Sequence, residues 1–141
     1  DDRFDLGRFT SAQAGVYDLA LAELIAGEKR SHWMWFIFPQ LDGLGSSPTA
    51  RQYAIKSMDE ARAYLKHPVL GPRLLECVEA VRAVEDRSAS QIFGYPDDLK
   101  LKSSMTLFAS AADSESVFNS VLDKYFDGAP DERTIQLLEA C

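Results

Sequence analysis

The chain is poor in the residues that build metal sites and disulfide frameworks. Its 141 residues include two cysteines, Cys77 and Cys141, and two histidines, His32 and His67. Neither pair has metal-ligand spacing, so no metal, no cofactor and no disulfide is expected. Two thiols in a domain that does not need them read as reduced and cytoplasmic. Long apolar runs are missing too. The longest, Trp33 to Phe38, is far too short to cross a bilayer, and no signal-peptide pattern follows Asp1, Asp2 and Arg3. Bases are scarce in the second half: residues 84–141 carry a balance of −6 within a total of −7. Such a chain repels phosphate backbones at long range, so neither nucleic acid nor a membrane is an expected partner. Small anions remain open, because the local cluster Lys29, Arg30 and His32 outweighs a distant field.

What is present suits one globular domain over residues 1–141. Apolar residues make up 46% and charged residues 26%, values that argue against disorder. A chain of this length buries roughly two thirds of its unfolded surface and needs no staples.

Nearly every segment reads as helix. Thr10 to Gln13 forms a capping-box pattern that opens an Ala/Leu-rich helix to Ala26, with Gly27 as its stop. Phe9, Ala12, Val16 and Leu19 make one stripe and Tyr17, Leu21 and Leu24 another, which predicts a central helix. Ser57 and Glu60 form a second box, for a helix stopped by His67 and Pro68. Pro72 suits the first turn of the next helix, which carries Leu74, Val78 and Val81. Ser88 and Gln91 open a short helix ended by Gly94. Asp97 and Asp98 start a helix with Leu101, Met105 and Phe108 on one face. Ser114 is read as the cap of the following helix, with Phe118, Val121 and Leu122 inside, and Pro130 as the start of a last one. Residues 42–48 read as a loop. Residues 32–38 have the content of a strand, but no other segment offers a partner strand. A lone strand would strand its backbone groups, so this segment is predicted as a short helix capped by Ser31 and broken at Pro39. The expected fold class is all-α, an irregular packing of about six to eight helices with no sheet.

Three segments carry a resemblance: RFDLGRFTSAQAGVYDLALAEL, KRSHWMWFIFPQLDGLG and IFGYPDDLKLKSSMTLF. Together they resemble the bacterial domain-of-unknown-function family 1810, some members of which carry the label calpastatin. The resemblance spans essentially the whole chain. It implies a compact, soluble, multihelical domain and no activity. The inhibitory segments of true calpastatin are disordered without a target, whereas this chain has a well-marked core, so that label carries nothing over.

Candidate functional residues fall in two segments. His32 is a general acid/base or anion ligand in one reading and a residue bonded to a backbone carbonyl in the other. In a helix Trp33 and Trp35 point about 200° apart. Either the short helix is buried all round, or Trp33 fills the core with Phe36 and Ile37 while Trp35 walls a groove beside His32. In the second segment Lys100 shares a helix face with Ser103 and Ser104, a set able to hold a phosphate or carboxylate. The alternative is a small-residue seam with hydroxyls bonded to the preceding turn. No G-x-S-x-G or S-x-x-K pattern supports a nucleophile, and Asp42 to Gly45 is no phosphate cradle. No reaction is assigned. The leading expectation is a pocket for a small anionic ligand, with Lys29, His32, Trp35 and Gln40 on one wall and Lys100, Ser103 and Ser104 on the other. His32 and Lys100 are expected to face one cavity near two helix starts, whose free N–H groups favour an anion. The rival is a protein-interaction module without catalysis, docking through the acidic second half. A concave pocket joining the two polar segments favours the first; a flat, exposed apolar patch favours the second.

Overall fold

The computed structural model describes residues 2–113 and 116–140. Ten helices form among them, and none of the described residues lies in a strand: α1 Gly7–Gln13, α2 Tyr17–Ala26, α3 Met34–Ile37, α4 Pro48–Gln52, α5 Met58–Lys66, α6 Leu70–Ala83, α7 Ala89–Phe93, α8 Asp97–Ala111, α9 Val117–Phe126 and α10 Glu132–Glu139. The all-α class holds, but the count exceeds six to eight, for two local reasons.

The stretch read as one helix from Thr10 to Ala26 is two. Gly15 takes φ 76°, a left-handed conformation that breaks the chain between α1 and α2. Thr10 is no cap, because its hydroxyl donates to the Gly7 carbonyl at 3.0 Å from inside α1. The second addition is α4, at the edge of the expected loop. Ser47 caps it, accepting from Ala50 N–H at 3.1 Å, and Pro48 sits at its first position.

Several other stop and start signals act as read, whereas α10 starts at Glu132 behind the cap Asp131, past Pro130. Gly27 ends α2 in a left-handed conformation, and Ser57 and Ser88 cap α5 and α7. His67 closes α5 and opens α6, its Nδ1 accepting from Val69 and Leu70 N–H at 3.1 and 3.2 Å. The expected cap at Ser114 lies outside the described residues; the cap seen at α9 is Ser116, paired with Asn119.

The central helix is α8, not α2. Leu101, Met105, Leu107 and Phe108 are fully buried, and α8 packs on α5, α7, α9 and α10. On α2 only Ala20, Glu23 and Leu24 are buried, while Leu19 and Ile25 face solvent. The break at Gly15 detaches Phe9 from the stripe that made α2 look two-sided. Aromatic rings run through the core: Phe9 meets Tyr64 edge-on at 5.2 Å, Tyr64 meets Phe108 at 5.4 Å, and Phe108 meets Phe118 at 5.7 Å. Each such buried side chain contributes roughly 1.5–3 kcal/mol over exposure. No helix among the described residues is long and apolar enough to cross a membrane.

Two polar staples hold the segments that flank the site. Arg8 donates to the carbonyls of Gln52 and Ala54 at 2.7 and 2.8 Å and to the buried Glu60 carboxylate at 2.8 Å. It thereby ties α1 to residues 52–60. From there an isolated parallel bridge joins Ile55 to Leu41: Ile55 N–H donates to Gln40 O and Asp42 N–H to Ile55 O, both at 2.8 Å. This bridge fixes the strand-like stretch after α3, which the sequence shows only as a loop approach.

Candidate functional site

The segment Lys29 to Trp33 is organised by one buried carboxylate. Glu23, 8% exposed, accepts from Arg30 N–H at 2.9 Å, Ser31 N–H at 3.0 Å, the Ser31 hydroxyl at 2.6 Å and Trp33 Nε1 at 2.9 Å. Burial by itself would raise its pKa, but these hydrogen bonds to the charged form win and hold it at about 2. Because Ser31 is used here, it does not cap α3. That helix starts at Met34, with Trp33 at its cap position and no side-chain cap bond.

Trp33 is fully buried and Ile37 nearly so, whereas Trp35 is half-buried. The two indoles therefore part company. Trp33 belongs to the core, and Trp35 lines a cleft of about 270 Å³ between α3, α8 and α10. Gln40, Leu44 and Gly45 complete one side; Pro96, Leu99, Lys100 and Ser103 form the second; Asp131 and Arg133 close the third. Gly45 is required by the approach of this loop. A Cβ there would lie 2.7 Å from Ala50 Cβ and 3.8 Å from the Trp35 ring.

Lys100 reaches over Trp35, with Nζ 3.9 Å from the ring centroid. Asp97, one turn earlier, holds it there at 3.3 Å and also pairs with Lys29 at 2.8 Å. Lys29 is largely enclosed, donating to Ser31 O at 2.6 Å and standing 5.1 Å from the Trp33 ring. One carboxylate thus ties the 29–33 segment to the start of α8. On α8 the Thr106 hydroxyl donates to Lys102 O and accepts from Asp131 N–H, both at 2.8 Å. The Asp131 carboxylate caps α10 by accepting from Thr134 N–H at 3.0 Å. This chain of bonds sets Arg133 at the rim of the cleft.

Of the seven residues singled out in the sequence, the cleft gathers Trp35, Gln40, Lys100 and Ser103. Lys29 stands behind it as the partner of Asp97. His32 is exposed and is not among the lining residues, because the chain turns around Glu23 before α3 begins and leaves the imidazole outside. Ser104 is fully buried in the core, and its hydroxyl has no partner among the described residues. Ser103 donates to Leu99 O at 3.1 Å, as Thr106 and Ser110 do to Lys102 O and Thr106 O, so these three hydroxyls follow the back-bonded reading, Ser104 does not, and Ser103 still edges the cleft. Nor are the N–H groups at the start of α8 free. Asp98 donates to Gly94 O, and Leu99 and Lys100 donate to Pro96 O. The anion-favouring groups are the two cationic side chains. Arg133 and Asp131 were missed in the sequence. Their signal was the lone base after Lys124, set two residues behind an Asp that opens a helix.

A larger groove, about 600 Å³, runs beside the N-terminal segment and includes Arg3, Lys66 and His67. Its anion position is already filled by the chain itself: the Asp2 carboxylate accepts from Leu6 and Gly7 N–H at 2.6 and 2.8 Å.

The family described as protein of unknown function (DUF1810) matches residues 3–138. The chain belongs to this family. No curated protein matches it. Among solved structures, the conserved hypothetical protein Rv1873 from Mycobacterium tuberculosis is 59% identical, with a TM-score of 0.96 over 98% of this chain and 99% of that one. The family resemblance read in the three sequence segments is therefore sound, and the arrangement of α1 to α10 is shared with that mycobacterial protein.

Proposed function

We propose that this member of the family binds a small anionic ligand, with or without an aromatic ring, in the cleft between α3, α8 and α10. The observation that carries the reading is the convergence of Lys100 and Arg133 on a concave site walled by Trp35 and Gln40, within a protein of net charge −7. A concave site focuses the field of the cations that line it, so a local positive region persists inside an acidic molecule. A bacterial cytoplasm is part of this reading, supported by the mycobacterial relative and by a buried, unpaired Cys77.

A thermal-shift screen of nucleotides, sugars and organic acids tests it, since a ligand of the native state raises the melting temperature. Anionic compounds should raise it in the parent protein and fail to do so in Lys100→Ala and Arg133→Ala. No shift with any anion, or equal shifts in the variants, would overturn the reading. Tyr95, 80% exposed, and Leu99, 47% exposed, favour a second reading in which this face docks a protein. In that case no small molecule in the screen shifts the melting temperature.

A further inference from the structure

The charges at the cleft can be counted, and their free valences differ. Lys29, Lys100 and Arg133 are cationic; Asp97 and Asp131 are anionic, which leaves a surplus of one positive charge. Asp97 spends both oxygens on the two lysines, one each. Lys100 is further engaged by the Trp35 ring. Asp131 is turned to its cap at Thr134. Arg133 has no ion pair or hydrogen bond among the described residues, and its guanidinium is exposed at the rim. An unpaired guanidinium presents a planar fork that fits a carboxylate. The rest of the lining is mostly apolar, through Trp35, Leu44, Pro96 and Leu99.

Resting on the anion-binding reading above, we infer that the ligand is a monocarboxylate with an apolar body, its carboxylate on Arg133 and its body against Leu44, Leu99 and the Trp35 edge. A cleft of about 270 Å³ lies at the small end of ligand sites, which suits a body of ring size. The face of Trp35 under Lys100 is occupied, so the body meets the indole from the side and need not be planar. A dianion would bring one more negative charge than the site can neutralise. A bare phosphate would leave the apolar wall uncovered.

The experiment is calorimetric titration with five probes: benzoate, cyclohexanecarboxylate, benzamide, phthalate and inorganic phosphate. The two monocarboxylates should bind, with benzamide and phthalate each about tenfold or more weaker and phosphate silent. Arg133→Gln, a change at an exposed position, should weaken benzoate about tenfold and leave benzamide unchanged. Asp131→Asn keeps a good N-cap but raises the surplus to two charges, so phthalate should gain about tenfold relative to benzoate. If phosphate or phthalate binds the parent protein as tightly as benzoate, the inference fails while anion binding stands. If no probe binds, the monocarboxylate inference fails alone and the wider anion screen decides the anion-binding reading; if benzamide matches benzoate, charge plays no part and both fail. An Asp131→Asn protein with unchanged preference refutes the charge count.

Discussion

Replacing Glu23 by Gln removes the charge around which the segment beside the cleft is folded. The parent carboxyl sits at about 2 against an ordinary 4.5, which at face value corresponds to about 3 kcal/mol. Arg30 is exposed and Ser31 partly so, and water at these partners screens part of the interaction, so we take about 2 kcal/mol. The sign follows from the direction of the shift. A depressed carboxyl contributes its stability above the unfolded value of 4.5, and loses it as pH falls through the folded value near 2. Urea denaturation of both proteins between pH 7 and pH 2 isolates the term, since other carboxylates titrate in each. The parent should exceed Glu23→Gln by about 2 kcal/mol at pH 7, with the gap closing between about pH 4.5 and 2. A gap that does not change with pH would show that the loss is one of shape or neutral hydrogen bonding, and would refute the account of Glu23.

Arg8→Ala leaves Glu60, 1% exposed, without its cation and frees the carbonyls of Phe4, Asp5, Gln52 and Ala54, so it should destabilise by about 3 kcal/mol or more in the same assay; a loss below about 1 kcal/mol would contradict the staple. Gly71→Ala would place a Cβ 2.2 Å from Leu65 O, where backbone cannot yield cheaply, and should cost about 1–3 kcal/mol; a neutral result would mean that α5 and α6 can separate. Burial pushes the Cys77 thiol up to about 12, so native protein should label there slowly and unfolded protein fast. Fast labelling at Cys77, mapped by peptide mass, would show a more open α6. The second thiol, Cys141, lies outside the described residues.

Capping chemistry made most of the fold legible. Ser57, Ser88 and Gly27 mark helix ends through local bonds that need no distant partner, and Asp97 and Asp98 mark one by their charge in the first turn of α8. What failed to show was decided by tertiary contacts. Gly15 could be carried inside a helix or break one; in the fold it breaks one, and Phe9 on the detached α1 packs on Tyr64. Ser31 looked like a cap until Glu23, eight residues earlier, claimed it. The same capture left His32 outside the cleft. Trp35 and Lys100 were findable because helical spacing separates them from core neighbours, while Gln40 was findable only as the polar residue just past the break at Pro39. Arg133 was not, because its place depends on Thr106 holding Asp131, a contact that spans 25 positions.

The two indoles offer the most direct measurement of the central claim. The sequence has two tryptophans, Trp33 locked on Glu23 in the core and Trp35 on the cleft wall. In a ¹H–¹⁵N correlation spectrum each gives one indole signal. Titration with benzoate should move the Trp35 signal and the Arg133 side-chain signal in step, with saturation, while the Trp33 signal stays in place. Movement of neither Trp35 nor Arg133 at millimolar benzoate, or movement confined to other regions, would contradict an anion site at this cleft.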